Sequence, residues 1–317
     1  MASAEWLQYR SIDFVARVLP RSLVDALARI LADREFHADT GKRAAVVSNL
    51  RRIHAYAGTV RTASELDAEA REVFRGFARH LVDFFRCPRL NPITLPGLVT
   101  IEGREHLAAA QAEGKGVIAF SAHFGSWEMS LAACVALGYT VNLVALTMRD
   151  PSTDRLFQSR RRGRGVRLIR FRGAVRPMLA MLARNEVIAL AGDIDFSAAS
   201  HLMSFFGAPA RLPMGIARIA ARTGAPILPG FIHQRPRGRC LFQMYPPVRP
   251  ALGEAPELIQ RRLVAVLERE IARDPTEWFV FHDVWDIEAS LAVARAEGAG
   301  SITPSASPPP RQPRTTL

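Results

Sequence analysis

The chain has 317 residues, 49% of them hydrophobic, so a sizeable core can form and wholesale disorder is disfavoured. Its formal net charge of +12 rests almost wholly on arginine, lysine occurring only at Lys42 and Lys115, and this balance favours an anionic partner: nucleic acid, acidic lipid headgroups or an acidic carrier protein. Cys87, Cys134 and Cys240 lie far apart with no CxxC pair, which argues against a disulfide framework or a zinc site.

No basic region leads into an apolar run at the start, so no signal peptide is expected. No window approaches the roughly 18 consecutive apolar residues of a membrane-spanning helix. Phe14 to Leu31 comes nearest, but Arg17, Pro20, Arg21, Asp25 and Arg29 interrupt it. That pattern is amphipathic and suits a helix lying on a membrane surface or packed on the body of the protein. Residues 12–90 read as helical, with a helix start at Thr62-Ala63-Ser64-Glu65, and Cys87-Pro88 and Asn91-Pro92 break the pattern.

From about residue 98, β-type runs alternate with helical stretches. The runs are Val117 to Phe120, Val141 to Leu146, Val166 to Phe171, Val187 to Gly192 and Pro226 to Ile232, with helices near 126–137, 152–163, 174–184, 212–223 and 255–272. This alternation predicts an α/β fold with a largely parallel central sheet flanked by helices. Leu241 to Val248 is expected to add an edge strand, limited by Pro246 and Pro247. The organisation expected is a helical region over 1–97, suited to membrane docking and packed on the core, an α/β domain over 98–290, and a disordered Pro/Ser/Arg tail over 296–317.

The segment with the clearest chemistry is GKGVIAFSAHFGSWEMS, Gly114 to Ser130. A buried-strand run ends at Ser121-Ala122, His123 follows on the turn, Gly125 permits a tight bend, and Ser126 could cap a helix that holds Glu128. Ligand sites of open α/β sheets gather at the carboxyl ends of the strands, which is where His123 falls. A histidine there can take a proton from an alcohol, and a nearby carboxylate can hold its tautomer and stabilise its charged form. Positions five apart on a continuous helix diverge by about 140°. Glu128 therefore reaches His123 only if the Phe124-Gly125 turn folds back. On spacing alone, a histidine at a strand end is more often structural or solvated than catalytic.

HFGSWE after GKGVIAF resembles the first motif of the bacterial lipid A biosynthesis acyltransferases, the lauroyl and myristoyl transferases of the lysophospholipid acyltransferase superfamily. The family pattern is HxGNWE, and Ser126 stands where asparagine is usual. Later segments are similar in the same order: Gly192-Asp193-Ile194-Asp195 resembles a DQD-type element, with isoleucine for glutamine, and Phe205 to Ala210 resembles FFGxPA. Ile219 to Pro226 resembles the segment leading into the next strand, Asp274 to His282 the closing PxxWxxxH signature, and Asn49-Leu50 an N-terminal NL element. The resemblance spans about 45–286.

It implies transfer of a fatty acyl chain from acyl carrier protein or acyl-CoA to a hydroxyl of a polar lipid, with His123 as general base and Glu128 orienting it. It implies no metal or organic prosthetic group. Ser121 and Ser126 are not in a GxSxG setting, so direct transfer is expected rather than an acyl-enzyme. Gly125, Ser126, Asp193 and Asp195 are candidate substrate-binding residues; Asp193 could equally cap a loop at a strand end. The acceptor could be lipid A, a phosphatidylinositol mannoside, an ornithine-type lipid or another polar lipid. The expected setting is peripheral, at the cytoplasmic face of the bacterial inner membrane.

Over 154–176, nine arginines accompany one acid, Asp154. Guanidinium forks bind phosphate bidentately, so the run suits an acidic carrier protein or a lipid phosphate. The resemblance places an important arginine here, for which Arg160 and Arg161 are the candidates. His201 could line the site, His282 reads as packing, and Trp127 as a core anchor. A nucleic-acid-binding protein would want interleaved aromatics, and this run holds only Phe157 and Phe171, so no nucleic-acid partner is expected. A thioesterase with the same His-Glu pair and a non-catalytic lipid- or carrier-binding protein are the remaining rivals.

Overall fold

The computed structural model describes residues 3–88, 90–196 and 201–298. Four helices open the chain: α1 (Ala4–Val18), α2 (Arg21–Ala38), α3 (Thr40–Tyr56) and α4 (Ala63–Arg86). The amphipathic run over 14–31 is two helices rather than one. Pro20 forces the residue before it out of the helical region, and Leu19 accordingly sits at φ −83, ψ 154. The start expected near Thr62 is a full capping box: the Glu65 amide donates to Thr62 Oγ1 and the Thr62 amide to Glu65 Oε2.

A short helix α5 (Leu95–Leu98) leads to β1 (Val99–Glu102), α6 (Arg104–Ala112), β2 (Val117–Ser121), α7 (Trp127–Ala136) and β3 (Val141–Ala145). Then come α8 (Pro151–Gly163), β4 (Arg167–Arg170), α9 (Val175–Leu182), β5 (Val187–Ala191), a hairpin of β6 (His201–Phe205) and β7 (Ala208–Leu212), and α10 (Gly215–Thr223). Finally β8 (Ile227–Arg235), β9 (Arg239–Met244), α11 (Pro256–Arg273) and α12 (Ile287–Gly298) complete the order.

Seven of these strands form one sheet in the order β1-β9-β8-β2-β5-β3-β4, and β6 and β7 pair separately. From β8 to β4 every neighbouring pair is parallel, while β9 runs antiparallel to β8 and parallel to β1. The late strand is therefore not at an edge as expected; β1 covers it, and its alternate residues Cys240, Phe242 and Met244 are buried. The first three residues of the predicted tail, 296–298, end helix α12, and the rest of it lies outside the described residues.

The central strand β2 is buried on both faces, which is why it reads as an unbroken apolar run. Ile118 and Phe120 join a core with α10 and α11, and Val117 joins a second core with α6 and α7. Its register with β5 sets Ser121 beside Ala191. Two residues further along each chain stand His123 and Asp193. The parallel pairing thus delivers these two to the same end of the sheet.

Candidate active site

Beyond β2 the chain makes a tight loop from Ala122 to Ser126, and the closing segment zips against it. The Phe279 amide donates to the His123 carbonyl at 2.8 Å, and the Gly125 amide donates to the Glu277 carbonyl at 2.9 Å. Phe124 and Trp278 form an antiparallel bridge between them. Gly125 has φ +55, and a Cβ there would stand 1.7 Å from the Ile232 carbonyl oxygen. Only glycine permits this approach. On the far side of the closing segment, buried Asn49 donates to the His282 carbonyl at 2.9 Å and accepts from the Val284 amide at 3.2 Å.

Asp193 is the carboxylate that meets His123. Its Oδ1 lies 3.0 Å from His123 Nδ1, its Oδ2 accepts the His123 backbone amide at 3.0 Å, and the Trp278 indole donates to the same Oδ2 at 2.9 Å. Burial works to raise the Asp193 carboxyl. The facing His123 and the hydrogen bonds from its ring, from Trp278 and from the His123 amide outweigh this and hold it below the usual carboxylate value. An ionised carboxylate accepts only, so it assigns the proton to Nδ1 of His123 and the lone pair to Nε2. The imidazole is 21% exposed, whereas Asp193 is fully buried.

Glu128, expected to orient His123, is engaged elsewhere. Its Oε1 accepts from Arg161 Nε at 2.9 Å and Nη2 at 2.6 Å, and both side chains are buried. Glu128 lies in the first turn of α7 and Arg161 in the last turn of α8, so the pair ties the two helices together. The five-residue spacing brings His123 and Glu128 to the wall of one cavity, and the carboxylate at hydrogen-bond distance from the His123 ring is Asp193, just beyond the neighbouring strand β5.

That cavity has a volume of about 360 Å³ and includes His123 in its wall. Glu128, Arg161 and Asp195 stand on its wall, and Leu131, Cys134, Leu143, Met178 and Ile216 make much of the remainder. It extends along α7 from Trp127 to Cys134, a rise of about 10 Å. Such a space takes an alkyl chain with polar groups at one end.

The other predicted residues divide by position. Ser126 stands at the N-cap of α7, but its Oγ makes no capping bond and donates instead to Asp83 Oδ2 at 2.6 Å; it is fully buried, and neither it nor Gly125 lines the cavity. Arg160 turns away and meets Asp13 at 2.7 Å. His201 contacts Arg218 at 3.1 Å and is not on the cavity wall. His282 is packed inside, burial pushing it down to about 4. Trp127 stacks on buried His80 with ring centroids 3.6 Å apart and meets the His123 ring edge-on at 5.4 Å. The contact of Trp278 was not read from the sequence; its signal was its place as the tryptophan of the closing PxxWxxxH pattern, without any hint of its partner.

Among the described residues, one group brings metal-type ligand atoms within 4.8 Å of one another: His233, Asp274 and Glu277, behind the loop rather than in the cavity. Burial and the neighbouring Asp274 push Glu277 up to about 8, so this carboxyl holds a proton near neutrality.

The sequence profile of the bacterial lipid A biosynthesis acyltransferases matches residues 3–286. The chain is 29% identical over 215 residues to a phosphatidylinositol mannoside acyltransferase of Mycobacterium tuberculosis (strain ATCC 25618 / H37Rv), covering 66% of this chain and 67% of that protein. It is 26% identical over 225 residues to a phosphatidylinositol mannoside acyltransferase of Mycolicibacterium smegmatis, covering 68% and 71%. Among solved structures, the 1-acyl-sn-glycerophosphate acyltransferase PlsC of Thermotoga maritima aligns with a TM-score of 0.39 and 16% identity, over 82% of this chain and 99% of that one.

Proposed function

Because the chain belongs to the bacterial lipid A biosynthesis acyltransferase family and is an acyltransferase, we propose that it moves a fatty acyl chain from acyl-CoA or acyl carrier protein directly onto a hydroxyl of a phosphatidylinositol mannoside or a related polar glycolipid. The observation that carries this reading is His123, held by buried Asp193 on the wall of a largely apolar cavity.

In this mechanism His123 Nε2 takes the proton of the acceptor hydroxyl as its oxygen attacks the thioester carbonyl. The tetrahedral intermediate collapses, the C–S bond breaks, and the departing thiolate recovers the proton from His123. Asp193 keeps the ring oriented and stabilises the imidazolium while it exists. The donor's alkyl chain lies in the cavity beside α7. Glu128 holds Arg161 in place on the cavity wall. Transfer is direct, with no serine ester.

The naming of two relatives as phosphatidylinositol mannoside acyltransferases favours that acceptor over lipid A. Among the described residues no helix is long and apolar enough to cross a membrane. Instead α1 exposes Leu7, Phe14 and Val18, and α2 exposes Leu23, Leu27, Ile30 and Leu31. These stripes, with arginines beside them, support peripheral docking on the cytoplasmic face of the inner membrane.

The test is purified protein with an acyl-CoA or acyl carrier protein donor, with and without phosphatidylinositol mannoside, followed by mass spectrometry of the lipids. An acylated glycolipid from wild type and none from His123→Ala supports the reading. Donor hydrolysis at the same rate without acceptor makes it a thioesterase instead.

A further inference from the structure

A second cavity, about 420 Å³, opens between α1, α4 and α8 and shares no wall residue with the acyl cavity. Four arginines line it: Arg17, Arg86, Arg160 and Arg164. Asp13, itself 1% exposed, answers part of this charge, with Arg160 at 2.7 Å, Arg10 at 2.9 Å and Arg17 at 4.0 Å. Arg86 donates to the Ala16 and Leu19 carbonyls, and Arg164 to the Cys87 and Phe84 carbonyls. The hydrogen bonds of these last two guanidiniums go to neutral oxygens, so the wall carries a net positive charge.

Arg164 is the informative member. It is 4% exposed, lies over the Phe84 ring at 4.7 Å, and its Nη1 has no hydrogen-bond partner among the described residues. A buried guanidinium with an unmet donor is costly unless an acceptor is supplied from outside. A phosphate offers several anionic oxygens to converging guanidinium forks, the acceptor these donors suit best.

The position of the cleft says where the phosphate comes from. Arg17 lies on α1 beside the exposed stripe of Leu7, Phe14 and Val18, with Phe14 62% exposed. An apolar stripe edged by arginine is the pattern of a helix at the lipid interface, where the nearest anions are headgroup phosphates. We propose that the arginine-lined cleft between α1, α4 and α8 binds the headgroup phosphate of an anionic membrane phospholipid. The inference rests on the membrane-surface reading of α1 and α2. It adds a seat for a lipid that is not consumed, and a fixed orientation for the acyl cavity over the bilayer.

The experiment compares binding of the full chain to vesicles of phosphatidylcholine alone and of phosphatidylcholine mixed with phosphatidylglycerol. Ser159→Trp fills the cleft without changing charge. Arg17→Gln removes a cleft arginine, and Arg10→Gln removes one from the same helix that does not line the cleft. Thermal melts establish that each variant is folded, and if Ser159→Trp is not, the two arginine variants decide the matter alone.

The expected result is that Ser159→Trp and Arg17→Gln each weaken binding to the anionic vesicles roughly fivefold or more, while Arg10→Gln changes it less than about twofold. Equal losses from Arg10→Gln and Arg17→Gln, or wild-type binding by folded Ser159→Trp, overturn the proposal in favour of diffuse charge. Coenzyme A is the soluble-phosphate arm. If it competes with the vesicles and Ser159→Trp abolishes its binding, the cleft holds the donor and the lipid proposal is overturned. Wild type that binds neither vesicle overturns the membrane-surface reading as well; wild type that binds both while the cleft variants change nothing overturns the cleft alone.

Discussion

Arg161 closes on a single oxygen of Glu128, through Nε at 2.9 Å and Nη2 at 2.6 Å, inside the protein and away from solvent. The carboxylate of the HxxxxE pattern thereby joins α7 and α8, and the ring of the histidine of that pattern meets Asp193 at 3.0 Å.

The ion pair predicts that Glu128→Gln acts first on stability. Removing one partner leaves the Arg161 charge buried without its counter-ion, a loss of about 3–5 kcal/mol. Glu128→Gln combined with Arg161→Gln should recover a good part of it. Chemical denaturation of both single variants and the double variant measures the coupling, and additive losses would contradict the pair.

The His123–Asp193 contact predicts a different signature. Asp193→Asn should lower kcat by roughly 10²–10⁴-fold with KM for the acyl donor little changed, because an amide no longer assigns the tautomer or stabilises the imidazolium. The pH profile of kcat/KM should shift along with the rate. An Asp193→Asn enzyme with the wild-type profile and rate would return the orienting role to another group.

Gly125→Ala meets both an unfavourable φ of +55 and a carbonyl oxygen at 1.7 Å. The loop must move away from β8, which displaces His123 from Asp193. Loss of activity by about 100-fold or more is expected, since misplacement of the reacting group by about 1 Å is enough. Single-turnover rates with acyl-CoA check it.

Glu277, raised to about 8, carries a stability consequence with a definite sign. Unfolded, it titrates near about 4.3, so between that value and about 8 the folded state binds more protons. Its contribution is full below the unfolded value and is lost as pH rises through the folded one. The groups facing it are His233, with Nδ1 at 3.8 Å, Asp274, Arg235, Arg79 and the Gln234 amide. Glu277→Gln removes the ionisation, so its melting temperature should fall less than that of wild type between pH 6 and pH 9. Parallel melting curves across that range would refute the assignment.

The acyl cavity predicts chain-length selection at its far end. Cys134 lies on the wall about two turns of α7 beyond Trp127. Cys134→Trp should reduce kcat/KM for palmitoyl-CoA by at least about tenfold while sparing octanoyl-CoA. Equal losses for both donors would place the alkyl chain elsewhere.

Much of the fold was legible because its signals are local. The runs at Val117, Val141, Val166, Val187 and Pro226 became β2, β3, β4, β5 and β8, and the central β2 and β5 were plainest because strands buried on both faces of a parallel sheet read as continuously apolar. The start near Thr62 was legible because a capping box is written within four residues. The short strand β1 and the β6–β7 hairpin were not read. Val99–Glu102 has four residues and His201–Phe205 alternates weakly, too little for a period to emerge.

By itself the sequence determined the α/β class, the ordered motifs of the acyltransferase family and the place of His123 just past the strand that begins at Val117. All of these are properties of contiguous residues. The partner of His123 was decided only in three dimensions. Asp193 is 70 residues away, and it arrives because β2 and β5 pair in parallel with Ser121 beside Ala191. Trp278 comes from further still, carried in by the segment that zips onto the loop at Phe124. The contact of Glu128 with Arg161 likewise lay outside any spacing rule, because it depends on which helix turns its arginine toward α7. Side-chain partners are set by how layers pack, and packing joins residues that the chain keeps far apart.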